Sequence, residues 1–126
     1  MMREPIHTPD APQAIGTYSQ AIAAGSTIYL SGQIGLDATT GALVTGFENQ
    51  AHQVFRNLAA VAAGAGAGLS NTVRATVFIV DFADFPKLNA IMAEYFTEPY
   101  PARSTVQVAA LPRGALVEVD LILVKD

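Results

Sequence analysis

The sequence predicts an α+β fold, a mixed sheet with two helices packed on one of its faces. Strand-like segments open and close the chain, and two helical segments interrupt them. Their order, β-β-(β)-α-β-α-β-β, sets each helix between strands able to pair in parallel. No linker, charge block or low-complexity tract divides the 126 residues, so residues 1–126 form a single domain, with residues 1–16 as an extended lead-in.

The lead-in holds three of the seven prolines. "TYSQAIAAG" and "TIYLSGQIG" read as two strands with a turn at Gly25 and Ser26, and "DATTGALV" adds a turn around Gly41. "FENQAHQVFRNLAAVAAGAGAG" is the clearest helix, because Phe47, Ala51, Val54, Phe55, Leu58, Val61 and Ala62 fall on one helical face. Glu48, Asn49, His52, Gln53, Arg56 and Asn57 fall off that face, toward solvent. Gly64, Gly66 and Gly68 follow this helix rather than open one, and no Lys-Ser/Thr comes after them; they are stop signals, not a phosphate loop.

"NTVRATVFIVD" is a β-branched strand. Asp84 is placed to cap a second helix from Phe85 to Phe96, with Pro86 in its first turn. Leu88, Met92, Tyr95 and Phe96 form its buried stripe, with Ile91 at the edge. "RSTVQVAAL" and "ALVEVDLILV" are the last strands, expected to pair as a hairpin through Pro112-Arg113-Gly114.

Apolar residues make up 51% of the chain and charged ones only 14%, which hints at self-association. The net charge of −4 and the scattered basic residues leave no footprint for nucleic acid. Without cysteine there is no disulfide, thiolate metal site or thiol nucleophile, and His7 and His52 lack metal-ligand spacing. The N-terminus lacks the apolar core of a secretory signal, and no run approaches the ~20 apolar residues of a membrane span. A soluble, cytoplasmic protein is the expectation.

Alternation along the strands separates two faces. Val117, Val119, Leu121 and Leu123 suit packing under the helices, whereas Glu118 and Asp120 share the other face with Ile122 and Val124. Val73, Ala75, Val77 and Ile79 oppose Arg74, Thr76, Phe78 and Val80. Arg103, Thr105 and Gln107 oppose Ser104, Val106 and Val108, and the arginine is expected on the mixed face with Glu118. That face is too apolar to be destined for water alone. Other copies of the sheet could cover it, leaving grooves for a small polar ligand. Patterning leaves Arg103 open as a solvated charge, half of a structural ion pair with Glu118, or an anion grip. Guanidinium binds a carboxylate through paired hydrogen bonds, and a nearby glutamate can deprotonate water.

The segments "AIGTYSQAI", "IYLSGQIG", "TVFIVDFADFPKLN", "YPARSTVQVAALP" and "VEVDLILV" resemble, in order, the signature segments of the RidA/YjgF (L-PSP endoribonuclease) family. The resemblance implies a chorismate-mutase-like α+β fold that trimerises through the uncovered sheet face, with sites between subunits. It implies hydrolytic deamination of 2-aminoacrylate, 2-iminopropanoate and 2-iminobutanoate to 2-keto acids, without metal or organic cofactor. By motif, Arg103 would clamp the substrate carboxylate and Glu118 would position water. Tyr18, Ser31, Gly32 and Asn89 would line the site. Residue types alone also allow Tyr18 to be a half-buried strand aromatic, Ser31-Gly32 a strand end and Asn89 a loop bridge.

Two departures from the family pattern stand beside Arg103. Thr105 occupies a position where many deaminating members have cysteine, and "FTEPYPARS" is shorter than in the best-known deaminases. They motivate an alternative, a small-carboxylate binder or regulatory paralogue without turnover. RNA cleavage, recorded in the family's older name, is disfavoured by the acidic balance.

Overall fold

The computed structural model describes residues 2–126. Its strands are β1 (Arg3–Ile6), β2 (Ala21–Ala24), β3 (Thr27–Gln33), β4 (Thr72–Ile79), β5 (Ala102–Gln107) and β6 (Val117–Val124); its α-helices are α1 (Phe47–Gly64) and α2 (Phe85–Tyr95). The strands form one sheet in the order β1-β2-β3-β6-β4-β5, antiparallel except for the β4–β5 pair.

Alternating strand residues make one face of this sheet the core. Ile28, Val77, Ile79, Val117, Val119, Leu121 and Leu123 are fully buried, and they meet Val54, Phe55, Leu58 and Val61 from α1 and Leu88 from α2. The predicted stripe of α1 is buried throughout. The helix ends where Gly66 takes a left-handed φ of +74°, a conformation glycine adopts without steric penalty.

Four details depart from the sequence expectations. First, β5 and β6 do not form a hairpin. β6 inserts between β3 and β4, and β5 returns through α2 to pair in parallel with β4 at the sheet edge. The segment between them is long enough to cross β4, and the central position gives the apolar side of β6 complete burial. Second, Thr17–Gln20 lie outside β2, because the Gln20 side chain turns inward to hold the lead-in. Its Oε1 accepts from the Thr8 amide at 2.7 Å, and its Nε2 donates to the Thr8 and Pro12 carbonyls at 3.1 and 2.8 Å. Third, the Asp84 side chain makes no capping bond. Asp81 instead accepts from the Ala83 amide at 2.9 Å, closing the 3-10 turn Phe82–Asp84 that feeds α2. Fourth, Asn57 is buried although it lies off the apolar stripe, since its amide donates to the Ile34 and Leu36 carbonyls at 3.3 and 2.9 Å. His52 is likewise half-buried, hydrogen-bonded through Nδ1 to the Tyr95 hydroxyl at 2.7 Å. No helix among the described residues is long and apolar enough to cross a membrane.

Candidate functional site

The β4–β5 register decides where Arg103 points. Arg103 lies opposite Ala75, Thr105 opposite Val77 and Gln107 opposite Ile79. Partners in register project to the same side of a sheet, and Ala75, Val77 and Ile79 are buried under the helices. Arg103 and Thr105 therefore belong to the helix side, not to the mixed face expected from the sequence. The apolar Val106 faces the uncovered side beside Phe78, and it resembles a core residue only in composition.

On the helix side, α2 holds the guanidinium from three positions. Arg103 Nη1 donates to Asn89 Oδ1 at 2.8 Å and approaches Met92 Sδ at 3.5 Å, while the guanidinium carbon stands 5.4 Å from the Phe85 ring centre. Residues 85, 89 and 92 share one helical face through their i, i+4 and i+7 spacing. One helix thus orients the long, exposed side chain of an edge-strand arginine. Arg103 and Asn89 open onto a pocket of about 440 Å³, walled by Met92, Ala93, Phe96, Tyr100 and Pro101. The Thr105 hydroxyl is buried without a hydrogen-bond partner.

The other face carries the carboxylates. Glu118 lies opposite Phe78 and Asp120 opposite Thr76 in the β4–β6 ladder. Between Leu30 and Gln33 the β3–β6 register slips, so that Ser31 and Gly32 together oppose Asp120. This bulge brings β3 against Glu118, where a Cβ on Gly32 would stand only 2.6 Å from Glu118 Oε2. The missing side chain is what admits the carboxylate. Burial, and then the neighbouring Asp120 charge, raise the Glu118 pKa above the ordinary glutamate value. Burial also raises that of Asp120, against the opposing pull of a Thr76 hydrogen bond and the Arg74 charge.

Ser31 Oγ donates to the Ser19 carbonyl at 2.6 Å, binding the segment before β2 to β3. Tyr18 is exposed, and its hydroxyl accepts from the Ile15 amide at 3.2 Å. Around these groups the uncovered face presents Tyr29 and Val106, 50% and 41% exposed, with Phe78 and Ile122 between them. Arg74 Nη2 crosses it to donate to Ser104 Oγ at 2.7 Å.

The predicted residues consequently form two groups. Arg103, Asn89 and Thr105 lie on the helix side at the β5 edge, whereas Glu118, Gly32 and Ser31 lie on the opposite side. Arg103 and Glu118 are separated by β4 and face away from each other, so they form no ion pair. Among the described residues the one salt bridge is Lys87–Asp84 at 4.0 Å, and no three His, Asp or Glu side chains group to hold a metal. The sequence reading missed Phe85 and Met92 as supports of Arg103, although their spacing from Asn89 marks the shared helix face.

Comparison with known proteins supplies the relationship. Residues 8–125 match the family model described as Endoribonuclease L-PSP. A Dermatophagoides farinae protein named 2-iminobutanoate/2-iminopropanoate deaminase is 51% identical over 120 residues, 94% of each chain. The human protein of the same name is 41% identical over 99% of this chain and 92% of its own. Protein DfrA of Myxococcus xanthus is 50% identical over 98% of this chain and 97% of its own. Among solved structures, RidA from an Antarctic Psychrobacter species superposes with a TM-score of 0.96 at 48% identity, covering 98% of this chain and all of the other. E. coli TdcF with bound serine gives 0.93 at 36% identity, covering 98% and 99% of the two chains. The deaminase names support imine deamination at the level of the family. With the match spanning nearly every residue and the fold shared, the chain belongs to the RidA/YjgF family, the Endoribonuclease L-PSP family.

Proposed function

We propose that the chain deaminates 2-imino acids, among them 2-iminopropanoate (from 2-aminoacrylate) and 2-iminobutanoate, at sites assembled between copies of itself. The observation that carries this reading is the Arg103 guanidinium beside a pocket, oriented by the contacts of its Nη1 with α2. A planar cation held in advance binds a substrate carboxylate with little loss of freedom.

Glu118 supplies the second function. Burial, and then Asp120, raise its pKa above the ordinary glutamate value, and a carboxyl within reach of a water can take up and return a proton. It takes a proton from water as the water oxygen bonds to the C=N carbon. It then returns that proton to the nitrogen, giving the carbinolamine; a second transfer moves the hydroxyl proton to the amine as the C=O bond forms, the C–N bond breaks and ammonia departs, leaving the 2-keto acid. Gly32 leaves the space for this carboxyl, and Ser31 and Tyr18 shape the surrounding backbone. Asn89 keeps Arg103 oriented, and Thr105 packs beneath it.

Because Arg103 and Glu118 face opposite sides, one copy provides the arginine and its neighbour the glutamate. A homotrimer associating through the uncovered face meets that need and covers its exposed Tyr29 and Val106. This chemistry calls for no metal or organic cofactor and fits the cytoplasm, where such imines arise. The net charge of −4 disfavours RNA as the substrate.

The test supplies a pyridoxal-phosphate serine or threonine dehydratase with its amino acid and follows keto-acid release with and without this protein. Acceleration by the native protein and its loss in Arg103→Ala are expected; no acceleration with either amino acid overturns the reading. One observation favours a second reading. Thr105 presents neither a thiol nor an accessible hydroxyl beside Arg103, as suits a carboxylate binder without turnover. Thermal stabilisation by 2-oxobutanoate with no acceleration would select it.

A further inference from the structure

The pocket beside Arg103 is divided by chemistry. Its polar groups, Arg103 and Asn89, are hydrogen-bonded to each other, and Met92, Ala93, Phe96, Tyr100 and Pro101 make the rest of the wall. We infer that the preferred substrate is a 2-imino acid with a bulky apolar side chain, branched aliphatic or aromatic, seated between α2 and the 96–101 segment. This rests on the reading of Arg103 as the carboxylate clamp and adds the identity of the group attached beside that carboxylate.

Size and wall chemistry favour a bulky substituent over a methyl or ethyl group. The volume of about 440 Å³ in the single chain is many times that of a methyl or ethyl group, and the pocket is open on one side, where the neighbour that supplies Glu118 would close it. With the carboxylate on the guanidinium, the substituent on the adjacent carbon comes within reach of those walls. Met92 and Phe96 form a floor fixed by the core, 7% and 5% exposed. Tyr100 is 60% exposed, a large aromatic surface that a ligand would remove from water. It stands between Pro99 and Pro101, whose rings restrict the backbone of the rim. On the facing helix, Ala93 is exposed and small, and its single carbon keeps the entrance wide.

A flavin-dependent L-amino-acid oxidase can generate the imino acids of alanine, leucine and phenylalanine in the same vessel as the native protein. The rate of keto-acid formation is then read in competition with semicarbazide. The expected kcat/KM for the leucine or phenylalanine imine exceeds that for the alanine imine by at least about tenfold, the effect of one or two well-placed methylenes. Ala93→Phe, at an exposed helix position, is expected to reduce that ratio several-fold, and a melting curve checks that the variant is folded. Equal or lower activity toward the larger imines overturns the inference while leaving the deaminase reading in place. So does a ratio unmoved by a folded Ala93→Phe, as when a segment of a second copy occupies the pocket. Inactivity toward all three imines overturns both.

Discussion

If the site is divided between copies, two inactive variants should restore one another. Arg103→Ala removes the clamp and Glu118→Gln removes the proton-transfer group, so each alone is expected to lose deaminase activity. In a mixed assembly, a site regains both groups where the subunit supplying Arg103 is the Glu118→Gln variant and its neighbour is the Arg103→Ala variant. Each condition holds for half the subunits in an equimolar, fully exchanged mixture, so about one quarter of the sites are restored. A second mixture sharpens the test. Native protein exchanged with the double variant also keeps about one quarter of its sites, having begun at about one half before exchange. The assay is keto-acid release in the dehydratase-coupled reaction, with subunit exchange verified by native mass spectrometry of differently tagged chains. A site built within one chain predicts no recovery in the first mixture and no decline in the second. Either result, with exchange verified, would refute the argument from opposite faces.

Three further outcomes follow from particular contacts. Gly32→Ala should fold, because the atom its Cβ meets at 2.6 Å is the movable end of Glu118; displacing that carboxylate should lower kcat/KM by about 10²-fold, as a misplacement of about 1 Å can do. For the unassociated chain, Glu118 has a folded pKa above its ordinary 4.5, so its stabilising contribution is complete below that value and is lost as the pH rises through the raised one. The melting temperature of Glu118→Gln relative to the native chain should therefore climb over that interval, and a gap independent of pH would contradict it. Asn57→Ala removes the side-chain donor to the half-buried Leu36 carbonyl, while the Ile34 carbonyl keeps the Leu36 amide at 2.8 Å, and urea unfolding should show a loss of about 1 kcal/mol.

The helices and the apolar side of the sheet were legible because burial imposes a period on the residues themselves. Phe47, Val54, Phe55, Leu58 and Val61 are buried as their spacing predicts, and so are alternate residues of β6. Strand neighbours were less legible. Pairing is decided by how the chain between strands can travel, and the short separation of β5 from β6 suggested a hairpin where the fold places β4 between them. Asn57 and Gln20 were illegible for another reason. Their burial depends on carbonyl groups far along the chain that their amides satisfy, and local polarity gives no sign of such partners.

The side assigned to Arg103 was wrong for a reason that bears on function. Alternation correctly separated Arg103, Thr105 and Gln107 from Ser104 and Val106, but it does not say which set lies beneath the helices. Taking the apolar set as the core treats apolar surface as evidence of burial within one chain. Here Val106 joins Phe78, Ile122 and Tyr29 on a face that no helix covers, while the polar Arg103 is gripped by Phe85, Asn89 and Met92 on the helix side. Apolar residues exposed together in this way mark a surface made for association. The same inversion that sets Arg103 against α2 sets Glu118 among the residues a neighbour would cover. On the proposed reading, self-association and catalysis become one requirement, since covering the apolar face is also what would bring a second chain's carboxyl to the arginine.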